Sequence, residues 1–315
     1  MMHSLRSTIW LLVFMARTMT ATAQEAEENG IVHMQVQRLN DSYIDVYHNK
    51  PTKDSMPIMI FCQGSGYDSN TEGFLGVLQL FEDEVVGLAI EKQGVLLGDA
   101  GDRLTQEYRD HNTVHNRLYD YLRVLAYLRS NIEWWNGEVY LVGGSEGGLL
   151  AGMLACYYPN VKGVSIFSFG GGLNFGEAWP ISSGLQVKAE GGTEGEINRR
   201  VQEVKDSLQM IRGEATFSAT YSGSDNAYAW WNSIIDLRLE NCLIELEIPI
   251  YLAQGSLDVM APPISAQRLH ESFMKEGKTN LLYKEYKGYD HGFKDEEGNS
   301  YLVQVIMEGI EWLLR

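Results

Sequence analysis

The chain has 315 residues, of which 44% are hydrophobic and 21% are charged. This size and composition suit one globular α/β domain with an insertion and exclude wholesale disorder. A formal net charge of −17 repels nucleic-acid phosphates and anionic membrane surfaces, so we expect no nucleic-acid partner.

Residues 1–23 have the features of a secretory signal. Arg6 supplies a positive charge, an apolar run follows at 9–16 (IWLLVFMA), and small residues at 21–23 (ATA) offer a cleavage site before Gln24. The run is far shorter than the roughly 20 residues that span a bilayer, so we expect no stable membrane insertion. The sequence predicts export to the periplasm or the medium. The alternative is an uncleaved, weakly structured N-terminus.

The chain from residue 31 to residue 169 alternates strand-like and helix-like segments. Two alternating runs, 31–39 and 42–48, predict an antiparallel hairpin. Strand–helix alternation after the hairpin predicts a parallel sheet covered by helices. The expected strands are 57–62 (PIMIFC), 85–90 (VVGLAI), 139–142 (VYLV) and 161–169, and the expected helices are 114–131 and 147–158.

The alternation stops at three consecutive glycines, 170–172, and resumes near residue 248. We interpret 170–246 as a helical cap inserted into a domain of residues 24–315, with helices predicted at 197–211 and 226–239. The layout is α/β, with a mostly parallel, doubly wound sheet. Its last predicted elements are a strand at 248–253 (IPIYLA), a helix at 262–276, a strand at 281–286 and a helix at 301–314.

The pentapeptide GGSEG at 143–147 matches the pattern G-x-S-x-G. A predicted strand ends at this motif, and a predicted helix of small residues begins after it. This is the context of a nucleophile on a sharp turn. Flanking glycines permit a strained backbone, and the helix N-terminus favours a developing negative charge. The sequence predicts Ser145 as a nucleophile. The alternative is a glycine-rich strand–helix turn without chemistry.

An acyl-transfer site also needs backbone N–H groups that bind an oxyanion. One donor is expected from the residue after the nucleophile, Glu146. The other is expected from the loop QGSG at 63–66, directly after the strand 57–62, with Ser65 as the donor residue. The alternative for this loop is an ordinary turn at a strand end. The Glu146 side chain would either disfavour anionic substrates or take part in a salt bridge.

Two later strands are each followed by a motif with an ionisable residue. Asp258 closes the motif GSLD at 255–258, and His291 is the centre of YDHGF at 289–293. Because the carboxyl ends of parallel strands share one edge of a sheet, both side chains are expected beside Ser145. The chain order Ser, Asp, His belongs to one triad architecture among several. Asp290, next to His291, is expected to be exposed or to order its loop.

These motifs resemble the α/β-hydrolase superfamily over roughly residues 56–315, apart from the cap. More narrowly, WWNG at 134–137, a strand and then GGSEGG look like bacterial exported hydrolases. The similarity is to the dienelactone-hydrolase, acyl-CoA-thioesterase and prolyl-oligopeptidase-like branches. Many relatives have His-Gly where this chain has Gln63-Gly64. The resemblance implies the α/β-hydrolase fold and a serine hydrolase.

Together these residues predict hydrolysis of a carboxylic ester or thioester, with a small-molecule or acyl substrate, through an acyl-enzyme on Ser145. His291 acts as the general base, and Asp258 orients it. The alternatives are a peptidase or amidase on the same triad, an acyltransferase, and a non-catalytic binding protein that keeps the fold.

Neither a metal nor a cofactor is expected. His111 and His115 have the spacing of a zinc helix, but the glutamate of H-E-x-x-H is absent. The three cysteines have wide spacings that form no disulfide framework. Cys62 and Cys156 are expected as small, buried apolar residues.

Several aromatic residues fall in the predicted cap, namely Trp179, Tyr221, Trp230 and Trp231. Such residues wall an acyl or aromatic subsite in some proteins and fill a small hydrophobic core in others. We favour the second interpretation for most of them.

Overall fold

The structure is a computed structural model that describes residues 26–28, 30–214, 216–217, 219–220 and 225–315. The predicted signal at 1–23 and the aromatic residue Tyr221 lie outside these described residues. Within the described ranges, no helix is both long enough and apolar enough to cross a membrane.

The described strands form one nine-stranded sheet with the order β1-β2-β3-β5-β4-β6-β7-β8-β9. The pairs β1–β2, β2–β3 and β3–β5 are antiparallel, and the pairs from β5 through β4 to β9 are parallel. This mostly parallel, doubly wound sheet confirms the predicted fold class. The strands are β1 (Ala26–Glu28), β2 (Ile31–Gln37), β3 (Tyr43–Asn49), β4 (Met56–Cys62), β5 (Val86–Ile90), β6 (Trp135–Gly144), β7 (Val161–Phe167), β8 (Ile250–Gly255) and β9 (Leu281–Tyr286).

Helices cover both faces of the sheet. Successive residues of a strand point to opposite faces: Ile58 and Ile60 join one buried cluster with α3, α4 and α9, and Met59 joins a second with α1 and α10. Burial on both faces explains why β4 is a continuous apolar run. The helices are α1 (Thr71–Leu78), α2 (Gln106–His111), α3 (Val114–Asn131), α4 (Glu146–Tyr157), α5 (Phe175–Ala189), α6 (Glu194–Arg212), α7 (Tyr228–Ile234), α8 (Glu240–Glu245), α9 (Pro263–Lys275) and α10 (Leu302–Leu313).

The described residues between β7 and β8 form four helices, α5 to α8. The helices α5 and α6 pack against each other, and each begins with a capping box, Asn174 with Glu177 and Thr193 with Glu196. The helix α7 contacts α3, and α8 contacts α4. The last of these intervening helices, α8, therefore lies beside α4, the helix that begins after Ser145.

Predicted and observed elements differ in places. The helix predicted at 114–131 and the strand predicted at 281–286 coincide with α3 and β9. The strand predicted at 139–142 is longer, because Trp135 already pairs with Met56 of β4. The helix predicted at 226–239 is shorter, and the helices α1, α2, α5 and α8 were not predicted.

The expectation for Cys156 is wrong. Cys156, at the end of α4, forms a disulfide with Cys242 of α8, and their Cα atoms lie 6.1 Å apart. The two cysteines are 86 residues apart in sequence, so only the folded contact between α4 and α8 brings them together. Cys62 is free and buried as expected, and burial raises the pKa of its thiol to about 12.

Candidate active site

Ser145 is the one residue between the end of β6 and the start of α4. Its backbone has φ 54° and ψ −125°, a conformation that L residues rarely adopt and that stores strain. A Cβ atom on Gly147 would lie 1.9 Å from the Cys62 carbonyl oxygen, and one on Gly143 would lie 2.2 Å from the Gly147 carbonyl oxygen. The two glycines therefore let α4 begin directly against the strands, with Ser145 at the turn.

Asp258 and His291 form a hydrogen-bonded pair beyond the ends of β8 and β9. The His291 Nδ1 atom lies 2.9 Å and 3.0 Å from the two Asp258 carboxylate oxygens. Asp258 is only 1% exposed. Its Oδ1 accepts the Met260 and Ala261 N–H groups, and its Oδ2 accepts the Gln254 amide. This shell fixes the orientation of the carboxylate that holds the imidazole ring.

The backbone of His291 is held by Ser168, a residue that sequence reasoning missed. Ser168 follows β7, has φ 51°, and is buried. Its hydroxyl donates to the His291 carbonyl oxygen at 2.8 Å, and its N–H donates to the Ala253 carbonyl oxygen at 3.0 Å. Ser168 thus ties the loop of His291 to the ends of β7 and β8.

Ser65 and Glu146, the two predicted oxyanion donors, lie beside Ser145. Both residues line the same cavity as Ser145 and His291. In the described part of the chain, neither N–H has a hydrogen-bond acceptor. The approach of Gly147 to the Cys62 carbonyl brings the start of α4 against the start of the loop at 63–66. Two such unpaired donors can bind an anionic oxygen.

The Glu146 side chain is buried and paired, the second of its two predicted roles. Its Oε1 accepts Arg117 Nη1 at 2.7 Å, and its Oε2 accepts the Trp230 indole N–H at 3.1 Å. Burial is the largest single influence and favours the neutral form of Arg117, but Glu146, Tyr121 and Tyr108 together outweigh it and raise the arginine pKa. Arg117 also donates to the Gln63 carbonyl oxygen. One buried ion pair therefore joins α3, α4, α7 and the loop at 63–66.

A cavity of about 250 Å³ opens at Ser145 and His291. Among the described residues that line it, only Glu146 and His291 are ionisable. The charge of Glu146 is balanced by its ion pair with Arg117. The remaining wall is mostly apolar or aromatic. Its larger members are Leu149, Phe169, Phe175, Trp230, Trp231 and Ile234.

The three tryptophans of the predicted cap all belong to or pack against the buried core, and two of them also line the cavity. Trp230 and Trp231 line the cavity and also belong to the larger buried cluster. Trp179 stacks on Trp231 with ring centroids 4.9 Å apart and packs against the same cluster. The aromatic residues of α5 and α7 thus form a layer that faces the cavity on one side and the packed intervening helices on the other.

The other candidate residues lie elsewhere. Asp290 is exposed, and its carboxylate accepts the N–H groups of Gly292 and Lys294, so it orders its own loop. His111 Nδ1 bonds to the Glu107 carbonyl oxygen within α2, and His115 lies on α3. The described residues contain no group of three or more His, Cys, Asp or Glu side chains placed to hold a metal ion.

Comparison with solved structures places the chain in the α/β-hydrolase fold. Est1E from Butyrivibrio proteoclasticus is 15% identical, with a TM-score of 0.57, over 90% of this chain and 97% of that one. Acetyl xylan esterase 1 from Thermoanaerobacterium sp. JW/SL YS485 is 15% identical, with a TM-score of 0.58, over 92% and 87%. An acylaminoacyl peptidase from Pyrococcus horikoshii is 12% identical, with a TM-score of 0.56, over 90% of this chain but 41% of that one.

No family model matches the chain, and no curated protein matches it by sequence. Identities between 11% and 15% show a shared fold only. The chemistry must therefore be argued from the site.

Proposed function

We propose that the protein is a serine hydrolase that cleaves a carboxylic ester or thioester through an acyl-enzyme on Ser145. One observation carries this proposal: a serine on a strained strand–helix turn and a histidine bound to a buried aspartate open into the same cavity. A binding protein that merely keeps the fold has no use for strain at that serine, since such strain concentrates where it serves a mechanism.

In the proposed mechanism, the Asp258 carboxylate accepts the Nδ1–H of His291, which leaves the Nε2 lone pair to remove the Ser145 proton. Among the described residues, the His291 ring is hydrogen-bonded to Asp258 and not to Ser145 Oγ. Catalytic contacts of this kind are often long before substrate binds. Ser145 Oγ then attacks the acyl carbon, and His291 returns the proton to the departing alcohol or thiol.

The N–H groups of Ser65 and Glu146 bind the negative oxygen that develops during this attack. Both donors are pre-oriented, so little reorganisation accompanies the reaction. The start of α4 adds its positive dipole end at the same place. Water, activated by His291, then attacks the acyl-enzyme and releases the acid.

The lining of the cavity supports a neutral, apolar acyl group as the part of the substrate bound beside Ser145. No lysine or arginine lines the cavity among the described residues, so a free carboxylate would enter without a partner. Esterases share the fold, and one solved structure holds ferulic acid bound to Est1E. An ester is therefore the leading substrate class.

The peptidase alternative has less support from the site. Recognition of a free amino terminus would need an unpaired carboxylate at the cavity. Glu146 is the one carboxylate among the described lining residues, and Arg117 and Trp230 already occupy it. A peptidase with a neutral substrate remains an outcome of the test below.

We also propose that the protein is exported and that residues 170–246 act as a cap over the cavity. The disulfide between Cys156 and Cys242 supports export, because such bonds persist in oxidising compartments. The contribution of Trp230, Trp231 and Phe175 to the cavity wall supports a cap that shapes the acyl site.

Steady-state hydrolysis of a substrate panel tests the proposal. The panel holds p-nitrophenyl acetate, butyrate and octanoate, an acyl thioester and an aminoacyl p-nitroanilide. We expect cleavage of the esters, with kcat/KM reduced by ~10⁴-fold or more in Ser145→Ala and unchanged in Ser130→Ala, an exposed serine at the end of α3. Preference for the anilide would favour the peptidase, and no cleavage by folded wild-type protein would overturn the proposal.

A further inference from the structure

Lys92 is a buried lysine that the proposed mechanism does not use. It follows the end of β5 and is 5% exposed. Its Nζ atom donates to the Gly66 carbonyl oxygen at 2.5 Å and to the Gly64 carbonyl oxygen at 3.2 Å. Both carbonyls belong to the loop at 63–66, and they flank Ser65.

The position of Lys92 relative to the cavity shows from which side it holds the loop at 63–66. Ser65 lines the cavity that holds Ser145, whereas Lys92 lines two other cavities and not that one. Lys92 therefore holds the loop from the side that faces away from Ser145. Arg117 Nη1 lies 3.4 Å from the same Gly64 oxygen, and the Tyr108 hydroxyl donates to the Gly66 oxygen at 3.0 Å.

Peptide geometry converts this anchoring into an orientation of the Ser65 N–H. The C=O of Gly64 and the N–H of Ser65 belong to one planar trans peptide unit, in which the two groups point in opposite directions. A Gly64 oxygen held on the Lys92 side thus directs the Ser65 N–H towards the Ser145 side. A charged donor makes a stronger hydrogen bond than a neutral one, so the ammonium suits this role.

We propose that Lys92 is a positioning residue, which fixes the loop at 63–66 so that the Ser65 N–H points at the substrate oxygen. The role rests on the proposed function, since it matters only if Ser65 binds an oxyanion. Lys92 touches no reacting atom. It acts through the Gly64 and Gly66 carbonyl groups.

The surroundings of Lys92 fit a group kept for its charge rather than for packing. Burial, and after it the nearby Arg117, lowers the pKa of Lys92 to about 8, although the carboxylates of Glu146, Asp68 and Glu91 act to raise it. A lysine placed where its charged form is disfavoured is costly to the folded state. Its two hydrogen bonds to the loop at 63–66 are the interactions in the structure that offset this cost.

The test compares wild-type protein with Lys92→Met, which keeps the length and removes the donors. With the best ester of the panel, we expect kcat to fall by about 10- to 100-fold and KM to stay within threefold, because a displaced oxyanion donor weakens the transition state more than the ground state. A trifluoromethyl ketone analogue, whose adduct carries the oxyanion, should lose affinity by a similar factor. Lys162→Met, at an exposed lysine of β7, should change none of these.

The possible results distinguish failure of the positioning role from failure of the proposed function. A folded Lys92→Met with kcat within twofold of wild type, or with the loss confined to KM, overturns the positioning role alone. No ester cleavage by the wild type overturns the proposed function and this role with it. If Lys92→Met does not fold, Lys92→Gln keeps a shorter and uncharged donor group, and a loss of about three- to tenfold in kcat and in analogue affinity is expected. Unchanged values in Lys92→Gln would overturn the role.

Discussion

At the scale of single residues, Asp258 is the most firmly held group of the site. Three protein donors besides His291 fix its two oxygens, and the carboxylate is almost fully buried. A carboxylate in this setting has one orientation, and the imidazole that it holds has one tautomer. Asp290, which precedes His291 in the sequence, instead accepts hydrogen bonds from N–H groups of its own loop.

Asp258→Asn is expected to lower kcat by about 10³- to 10⁴-fold with little change in KM, because an amide NH₂ facing Nδ1 favours the wrong imidazole tautomer. Asp290→Asn is the matched control, since an amide oxygen still accepts the N–H groups of Gly292 and Lys294. We expect it to stay within about threefold of wild type in the same assay. Equal losses in both variants would assign the orienting role to neither aspartate.

Lys92 makes a second residue-scale prediction, on stability against pH. Its pKa is lowered from 10.5 to about 8 in the folded protein, first by burial. Between these pH values the unfolded chain binds more protons, so the contribution of Lys92 to the free energy of unfolding rises with pH. Relative to Lys92→Met, wild type should therefore gain stability from pH 8 to pH 10.5, by roughly 3 kcal/mol at most. Urea unfolding at several pH values measures this, and a flat or falling difference contradicts it.

At the scale of elements, the turn from β6 to α4 depends on backbone contacts that leave no room for a side chain. A Cβ atom on Gly147 would meet the Cys62 carbonyl carbon at 2.8 Å as well as its oxygen at 1.9 Å. Backbone atoms of a central strand cannot move aside as a flexible side chain can. The glycine pattern of the motif therefore reflects packing of α4 on β4 as much as the conformation of Ser145.

Gly147→Ala should destabilise the fold by about 2–4 kcal/mol and abolish most of the activity, because α4 must move away from β4. Gly73→Ala is the control: it lies within α1, and a Cβ atom there meets nothing within 4 Å. We expect it to leave stability unchanged or to raise it by about 0.5–1 kcal/mol. Urea unfolding monitored by fluorescence compares the two, and a tolerated Gly147→Ala would show that the turn is not as closely packed as described.

Two of the four helices that sequence reasoning missed, α1 and α5, share a physical reason. The helix α1 contains Gly73 and Gly76, and α5 contains Pro180 with a glycine on either side, at 176 and 184. These residues lower intrinsic helix propensity, so the local sequence does not indicate a helix. Packing of α5 on α6 and of α1 on β5 supplies the stability instead.

At the scale of the whole molecule, the disulfide joins the core helix α4 to the intervening helices. It closes a loop that contains β7, α5, α6 and α7. A cross-link over so long a loop removes much of the freedom of the unfolded chain. It also holds α8 close to α4, the helix that follows Ser145.

The double variant Cys156→Ser, Cys242→Ser should lose about 2–4 kcal/mol of unfolding free energy. Dithiothreitol should lower the Tm of wild-type protein and leave that of the double variant unchanged. Calorimetry with and without reductant makes the comparison, and Cys62→Ala, which removes the free thiol, should keep the response to reductant. A wild-type Tm that ignores reductant would contradict a stabilising disulfide.

The sequence predicts those parts of the fold and site that follow strand ends. Ser145, Ser65, Asp258 and His291 each lie within five residues of the end of a parallel strand, so topology alone brings them to one edge of the sheet. The structure adds what depends on contacts distant in sequence. Arg117 reaches Glu146 from α3, Lys92 reaches the Gly64 carbonyl, and Cys156 meets Cys242. No local pattern carries these pairings, because each joins segments that only the finished fold brings together.

The central claim is that Ser145 is an activated nucleophile, and a fluorophosphonate probe tests it most directly. Wild-type protein, Ser145→Ala and Ser130→Ala are treated with the probe, and the adduct is located by mass spectrometry. The account predicts an adduct on Ser145 in wild type and in Ser130→Ala, and no adduct in Ser145→Ala. A folded wild-type protein that stays unlabelled, or an adduct on another residue, would contradict it.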